Sequence, residues 1–166
     1  MTKGKLAVYP GTFDPVTYGH IDIIKRASRI FDRVIVAVAH NREKETLFSV
    51  NERVAMLKSA VKGIKAVEVD DFDGLIVDYV KRAGANIMIR GIRMISDFEY
   101  EFQMALTNRK LAGYIETIFM MPHESYSYIS SKLIKEAASL GADVGNFIPK
   151  AAEEALKAKL KRRDKK

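Results

Sequence analysis

A chain of 166 residues with 48% hydrophobic and 30% charged side chains has the make-up of one soluble globular domain, long enough to bury about 70% of its unfolded surface. It has no cysteine, which excludes disulfides, thiolate nucleophiles and cysteine-bound metals. No apolar run approaches the ~20 residues of a membrane span and no secretory apolar region opens the chain, so a cytoplasmic location is the default. The net charge of +7 gathers at the end: residues 157–166 carry seven basic groups against Asp164, leaving +1 for the rest. We therefore expect one domain over residues 1–160, with a basic, fraying tail over 161–166 that is a solvated end rather than an arm for nucleic acid.

In chain order, KLAVY at residues 5–9 reads as a strand, and GTFDPVTYGH follows it at residues 11–20. Gly11 permits close approach of backbone to a ligand, and Gly19 removes a side chain at a helix entrance. The helical spacing of HIDIIKRASRIF, residues 20–31, puts free N–H groups and a positive dipole end at this loop, where a phosphate can sit. The plainer account is a turn made by Asp14-Pro15 with Thr17 as a helix cap. Neither the G-x-G-x-x-G fingerprint nor a P-loop is present.

RVIVAVA at 33–39 is a second strand, and VNERVAMLKSAV at 50–61 is a helix opened by a capping box, Ser49 with Glu52. KAVEV at 65–69, NIMIR at 86–90 and ETIFMM at 116–121 complete five strands, with further helices over 74–83, 97–111, 130–139 and 149–161. Near-continuous apolar strands alternating with helices predict a Rossmann-like, doubly wound five-stranded parallel sheet with helices on both faces. Ligands in such sheets sit beyond the carboxyl ends of the strands. Those loops begin at Pro10, His40, Asp70, Gly91 and Pro122.

Each loop offers candidates. Arg90 and Arg93 flank Gly91 and fit anion recognition better than surface solvation. Ser130 and Ser131 are natural helix-start residues, and their hydroxyls with the helix N–H groups can also cradle phosphate. DDFDGLI at 70–76 resembles a Mg²⁺ site at first sight, but reads more simply as a polar turn entering a helix. His40 and His123 have no motif support.

GTFDPVTYGH resembles the [His/Thr]-x-Gly-His signature of a nucleotidyltransferase superfamily, and ISSKLIKE at 129–136 is similar to its second element. IRGIR at 89–93 and DFEYE at 97–101 resemble, more narrowly, the bacterial phosphopantetheine adenylyltransferases. The similarity runs in register from about Lys5 to Leu160. It implies transfer of the adenylyl group of ATP to 4'-phosphopantetheine, giving dephospho-CoA and pyrophosphate, with Mg²⁺. It also implies a homohexamer, with CoA as a feedback ligand.

By the same resemblance, Thr12, Lys44 and His20 serve the reaction. Thr12, Lys44, Ile76 and Arg90 meet 4'-phosphopantetheine, with Phe72, Met104 and Leu106 as possible extensions of that surface. Thr12, Phe13, His20, Gly91, Ile92, Arg93 and Glu101 meet ATP, as does the segment Tyr126, Ser127, Tyr128, Ile129, Ser130, Ser131 and Lys132. Lys132 stands where relatives commonly have another serine or threonine. No metal ligand is assigned.

The attacking phosphate monoester has a second pKa near 6 and is mostly dianionic at pH 7, so it needs no general base. His20, at a helix N-terminus where the dipole disfavours an imidazolium, is expected to be a neutral hydrogen-bond donor. Three other readings compete: a nucleotidyltransferase acting on nicotinamide mononucleotide or a polyol phosphate, a non-catalytic ATP-binding module, and RNA binding through the tail. Lys44, Arg90 and DFEYE weigh against the first; His20 and Lys44 have no purpose in the second.

Overall fold

Period-two alternation along three neighbouring strands builds both faces of one sheet. In a computed structural model that describes residues 4–40 and 45–163, Ala7 and Tyr9 of β1 (Leu6–Gly11), Val34, Val36 and Val38 of β2 (Arg33–Ala39) and Ile89 of β4 (Ile87–Gly91) share one core. The alternate residues Val8, Ile35, Ala37 and Met88 enter the other. β3 (Val67–Phe72) and β5 (Glu116–Met120) form the edges, in the order β3-β2-β1-β4-β5. All pairings are parallel. The expected doubly wound sheet is present.

Helices α1 (Tyr18–Ile30), α2 (Val50–Ala60), α5 (Ser131–Ser139) and α6 (Lys150–Arg163) cover the first face. α3 (Ile76–Arg82) lies on the second, with α4 (Ile95–Leu111) beside it. α1 is strongly amphipathic and buries Ile21, Ile23, Ile24 and Ala27. Ser49 and Glu52 make the expected capping box at α2. Among the described residues, no helix is long and apolar enough to cross a membrane.

β3 starts two residues later than the sequence pattern indicates and continues to Phe72. Ala66, with φ of 64°, turns the chain before it. Six residues then pair with Val34–Ala39 of β2, so Asp70 and Asp71 lie in the strand rather than in a turn. The third loop begins after Phe72.

The topology reverses at β1 and β4: successive strands run outward from β1 through β2 to β3, and from β4 to β5. The crevice above the carboxyl ends of β1 and β4 is therefore where a ligand belongs.

Candidate active site

Two cavities meet over that crevice. The larger, about 380 Å³, is walled by the β1–α1 loop, the segment Arg90–Arg93 and the start of α5. The smaller, about 220 Å³, is lined by Ala39, Phe72, Ile76, Met88, Tyr100 and Met104, among others. Pro10, Gly11, Thr12, Arg90 and Glu101 belong to both. Thr12 therefore stands where a ligand of one cavity touches a ligand of the other.

His20 is the third residue of α1, and Thr17 is its N-cap. The His20 Nδ1 accepts the Thr17 N–H at 3.0 Å, while the His20 N–H donates to Thr17 Oγ1 at 3.3 Å. This reciprocal pair is a capping box with histidine in place of the usual Glu or Gln. Because Nδ1 is an acceptor, the ring proton resides on Nε2, on a side chain that lines the larger cavity. Burial first, then the charges of Arg93 and Arg90, pull its pKa down to about 4. The expected neutral donor follows from these contacts as well as from the helix dipole.

Two of the N–H groups at the start of α1 are already engaged: that of Tyr18 donates to Phe147 O at 2.9 Å and that of His20 to Thr17 Oγ1. Gly11 has a different reason from the one expected. A Cβ there would come within 2.8 Å of the Phe13 ring. That ring folds back over Gly11 and meets Tyr9 and His20 edge-on, with centroids 5.5 and 5.0 Å away.

Arg90 does not stand alone at its strand end. Its Nε and Nη2 donate to Glu101 at 2.7 and 2.5 Å, and its Nη1 to Pro10 O at 2.8 Å. Burial works against the guanidinium charge, but Glu101 outweighs it and raises the Arg90 pKa. Glu101 is buried, unlike an ordinary helix-surface carboxylate. Arg93 is held by Asp97 at 3.2 Å and donates to Ile129 O at 2.7 Å. Gly91 leaves room for Ile23 and Tyr9.

At α5, Ser130 is the N-cap and accepts the Leu133 N–H at 3.0 Å. The Ser131 hydroxyl donates to Pro15 O at 2.8 Å, tying α5 to the first loop. Asp14 makes the other tie. Its carboxylate accepts the N–H groups of Leu47 and Phe48, both at 2.9 Å, and the Lys135 ammonium at 2.5 Å.

The acidic groups at the end of β3 and just after it have partners of their own: Asp70 accepts from Tyr79 at 2.6 Å, Asp71 meets His40 at 2.6 Å, and Asp73 accepts the Gly74 N–H. His123 caps the short helical turn Glu124–Tyr126.

The cytidylyltransferase-like family pattern matches residues 8–137. A phosphopantetheine adenylyltransferase from Caldanaerobacter subterraneus subsp. tengcongensis is 54% identical over 95% of this chain and 99% of its own. Another from Geotalea daltonii is 53% identical over 95% of this chain and 98% of its own. The chain belongs to the phosphopantetheine adenylyltransferase family. Among solved structures, one described as a candidate nicotinate-nucleotide adenylyltransferase from Vibrio parahaemolyticus superposes with a TM-score of 0.70. It covers 93% of this chain and 99% of its own at 18% identity, and speaks for the fold alone.

Of the positions that the family resemblance singles out, Thr12, Phe13, His20, Gly91, Arg93, Glu101, Ile129, Ser130, Ser131 and Lys132 wall the larger cavity. Ile76 lies in the smaller, and Thr12 and Arg90 in both. Ile92 lines neither cavity, and its N–H donates to Met120 O at 3.1 Å. Tyr126, Ser127 and Tyr128 stand outside both walls, with Tyr128 62% exposed. Leu106 is likewise 50% exposed, unlike Phe72 and Met104. Lys44 lies outside the described residues.

Sequence reasoning missed three buried or half-buried polar residues. Asp14 was visible only as a turn former, and Lys135 only as part of the motif ISSKLIKE, with no role of its own. Arg53, 1% exposed, had a signal: it shares a helix face with Met56 and Leu57 at spacings of three and four, which is an apolar position.

Proposed function

We propose that this chain transfers the adenylyl group of ATP to 4'-phosphopantetheine, giving dephospho-CoA and pyrophosphate. The observation that carries the reading is the junction of two cavities at Thr12 and Arg90, with a neutral His20 beside it. The nucleotide occupies the larger cavity, against Phe13, His20, Gly91, Arg93, Glu101 and the segment from Ile129 to Lys132, and reaches past its wall to Ile92 and to Tyr126, Ser127 and Tyr128. The pantetheine arm occupies the smaller cavity, over Ile76 and Met104, and its phosphate reaches Thr12, Arg90 and Lys44.

A non-bridging oxygen of the acceptor phosphate attacks the α-phosphorus of ATP. The bond from that phosphorus to the bridging oxygen breaks, and pyrophosphate leaves with the electron pair. No covalent enzyme intermediate is needed, because the acceptor is already a dianion near neutral pH. The protein's part is positioning and charge stabilisation. His20 Nε2–H and the Thr12 hydroxyl donate to oxygens of the transferring group, while Lys44 and Arg93 offset its charge. Glu101 keeps Arg90 aimed: three of that guanidinium's contacts are fixed, and the remaining N–H groups serve the acceptor phosphate.

Of the acidic residues that line this cavity, Asp14, Asp97 and Glu101 sit against Lys135, Arg93 and Arg90 respectively, which leaves Glu45 beside them. Hydroxyls and phosphate oxygens then fit Mg²⁺ better than a carboxylate cage does, since Mg²⁺ keeps waters and substrate phosphates as ligands. Bound with the nucleotide, it would neutralise the leaving pyrophosphate. CoA, which contains both moieties, is the expected feedback ligand of the joined cavities, and a cytoplasmic location is part of this reading.

A homohexamer belongs to it too. On α4 and β5, Ile95, Phe98, Phe102, Leu106 and Ile118 are 38–90% exposed, and Phe98 stacks on Phe102. An apolar stripe of this extent fits burial against further copies.

A pyrophosphate-release assay tests the reaction. ATP with 4'-phosphopantetheine should release pyrophosphate, whereas CTP, nicotinamide mononucleotide and a polyol phosphate should not substitute. Release with one of those acceptors and not with 4'-phosphopantetheine would move the chain to another branch of the superfamily.

A further inference from the structure

Phe13 holds a backbone φ of 50°. A bulky side chain adopts this left-handed region only where its surroundings dictate it, and such residues gather at functional sites. From above, the ring is fixed by its contacts with Tyr9 and His20. From below, the Thr12 carbonyl accepts a hydrogen bond from Arg53 Nη1 at 2.7 Å.

Arg53 is an unusual cation. It is 1% exposed, yet among the described residues its hydrogen bonds go to backbone carbonyls alone: Thr12 O, Ala39 O at 2.9 Å and Phe48 O at 3.2 Å. A buried arginine ordinarily meets a carboxylate. Here three segments, the loop after β1, the end of β2 and the entrance to α2, converge on one guanidinium. Asp14, whose charge acts on it, is bound to Lys135 and to two N–H groups.

A trans peptide carries its C=O and N–H on opposite edges. With the Thr12 carbonyl turned onto Arg53, the Phe13 N–H is turned the other way, toward the cavity that both residues line. That N–H has no acceptor among the described residues. We propose that Arg53 is a positioning residue for adenylyl transfer, which fixes the Thr12–Phe13 peptide so that its N–H is aimed at the transferring phosphate. The inference rests on the larger cavity being the transfer site.

The test compares full-length wild type, Arg53→Met, Arg53→Lys and Thr12→Ala by pyrophosphate release, well below the lowest melting temperature. Misaiming one donor should lower kcat of Arg53→Met about 100-fold, with KM for both substrates within about threefold. Lysine can reach the Thr12 carbonyl with its ammonium, so Arg53→Lys should recover about tenfold of that loss. A purely structural Arg53 predicts lower melting temperatures with kcat within about threefold of wild type; that result overturns the proposal, as does Arg53→Lys performing no better than Arg53→Met. If Arg53→Met does not fold, Arg53→Lys decides: kcat down about fivefold or more at unchanged KM supports the proposal, and wild-type kcat overturns it. Normal turnover in Thr12→Ala would sink the assignment of the site itself. Impaired Thr12→Ala beside normal Arg53→Met would sink only the role of Arg53.

Discussion

His20 presents one nitrogen to the cavity, because its Nδ1 accepts the Thr17 N–H. With its pKa held down at about 4, it stays neutral at any pH where the acceptor phosphate is a dianion. His20→Ala should therefore lower kcat about 10²- to 10³-fold, with KM changed only a few-fold, since it removes a donor needed most in the transition state. Near-normal turnover would refute the role. The acid limb of kcat/KM should lie near pH 6, the second pKa of the acceptor. It should stay there in His20→Gln; a limb that vanished would mean that the imidazole titrates. Stability follows the same depressed pKa. An unfolded histidine takes a proton below about pH 6.5 and the folded one only near 4. The stability that the neutral ring contributes is thus complete above about pH 6.5 and lost as pH falls through 4. Melting curves over that window should show the wild type losing ground relative to His20→Gln.

The β1–α1 loop is a packed element, with Gly11, Phe13 and His20 in layers and Asp14 pinning the stretch before α2. Gly11→Ala places a Cβ 2.8–3.2 Å from three atoms of the Phe13 ring. Overpacking of this kind costs about 1–3 kcal/mol. The ring must shift, which disturbs its edge-on contact with His20, so activity should fall more steeply than thermal stability; a variant with full kcat would show that the ring's place is unimportant. Much of this level was legible in the sequence. The bounds of β2 match the apolar run RVIVAVA residue for residue, because a doubly covered strand has no polar interruption. β3 was read short, because an edge strand tolerates Asp70 and Asp71, which look like a turn. Thr17 was recognisable as a cap, but not that His20 completes the box, since that box ordinarily uses Glu or Gln. Asp14 and Arg53 were hidden for another reason: the partners of Asp14 stand 33, 34 and 121 residues away, and two of those of Arg53 stand 41 and 14 away. Local pattern carries no record of such distances.

At the scale of the molecule, the two faces of the sheet are unequally covered. Four helices pack on one; the other has α3 and an α4 whose apolar side chains face outward. Phe98→Asp with Phe102→Glu should lower the sedimentation coefficient to that of a smaller assembly while leaving the circular dichroism of the sheet intact. An unchanged coefficient would mean that this stripe does not join copies. The strand order could be anticipated from the β-α alternation, but the assembly could not, because an exposed and a partnered leucine look alike in sequence. The shared wall of Thr12, Arg90 and Glu101 has a kinetic corollary. In the proposed reaction, two molecules enter separate chambers and leave their larger parts joined by one covalent bond across that wall. The joined product is a bivalent ligand: when one end lets go, the other holds it at a local concentration that short tethers raise to the millimolar range. Each catalytic event thus manufactures its own tightest occupant, and departure of that occupant, rather than bond making, is the expected brake on turnover.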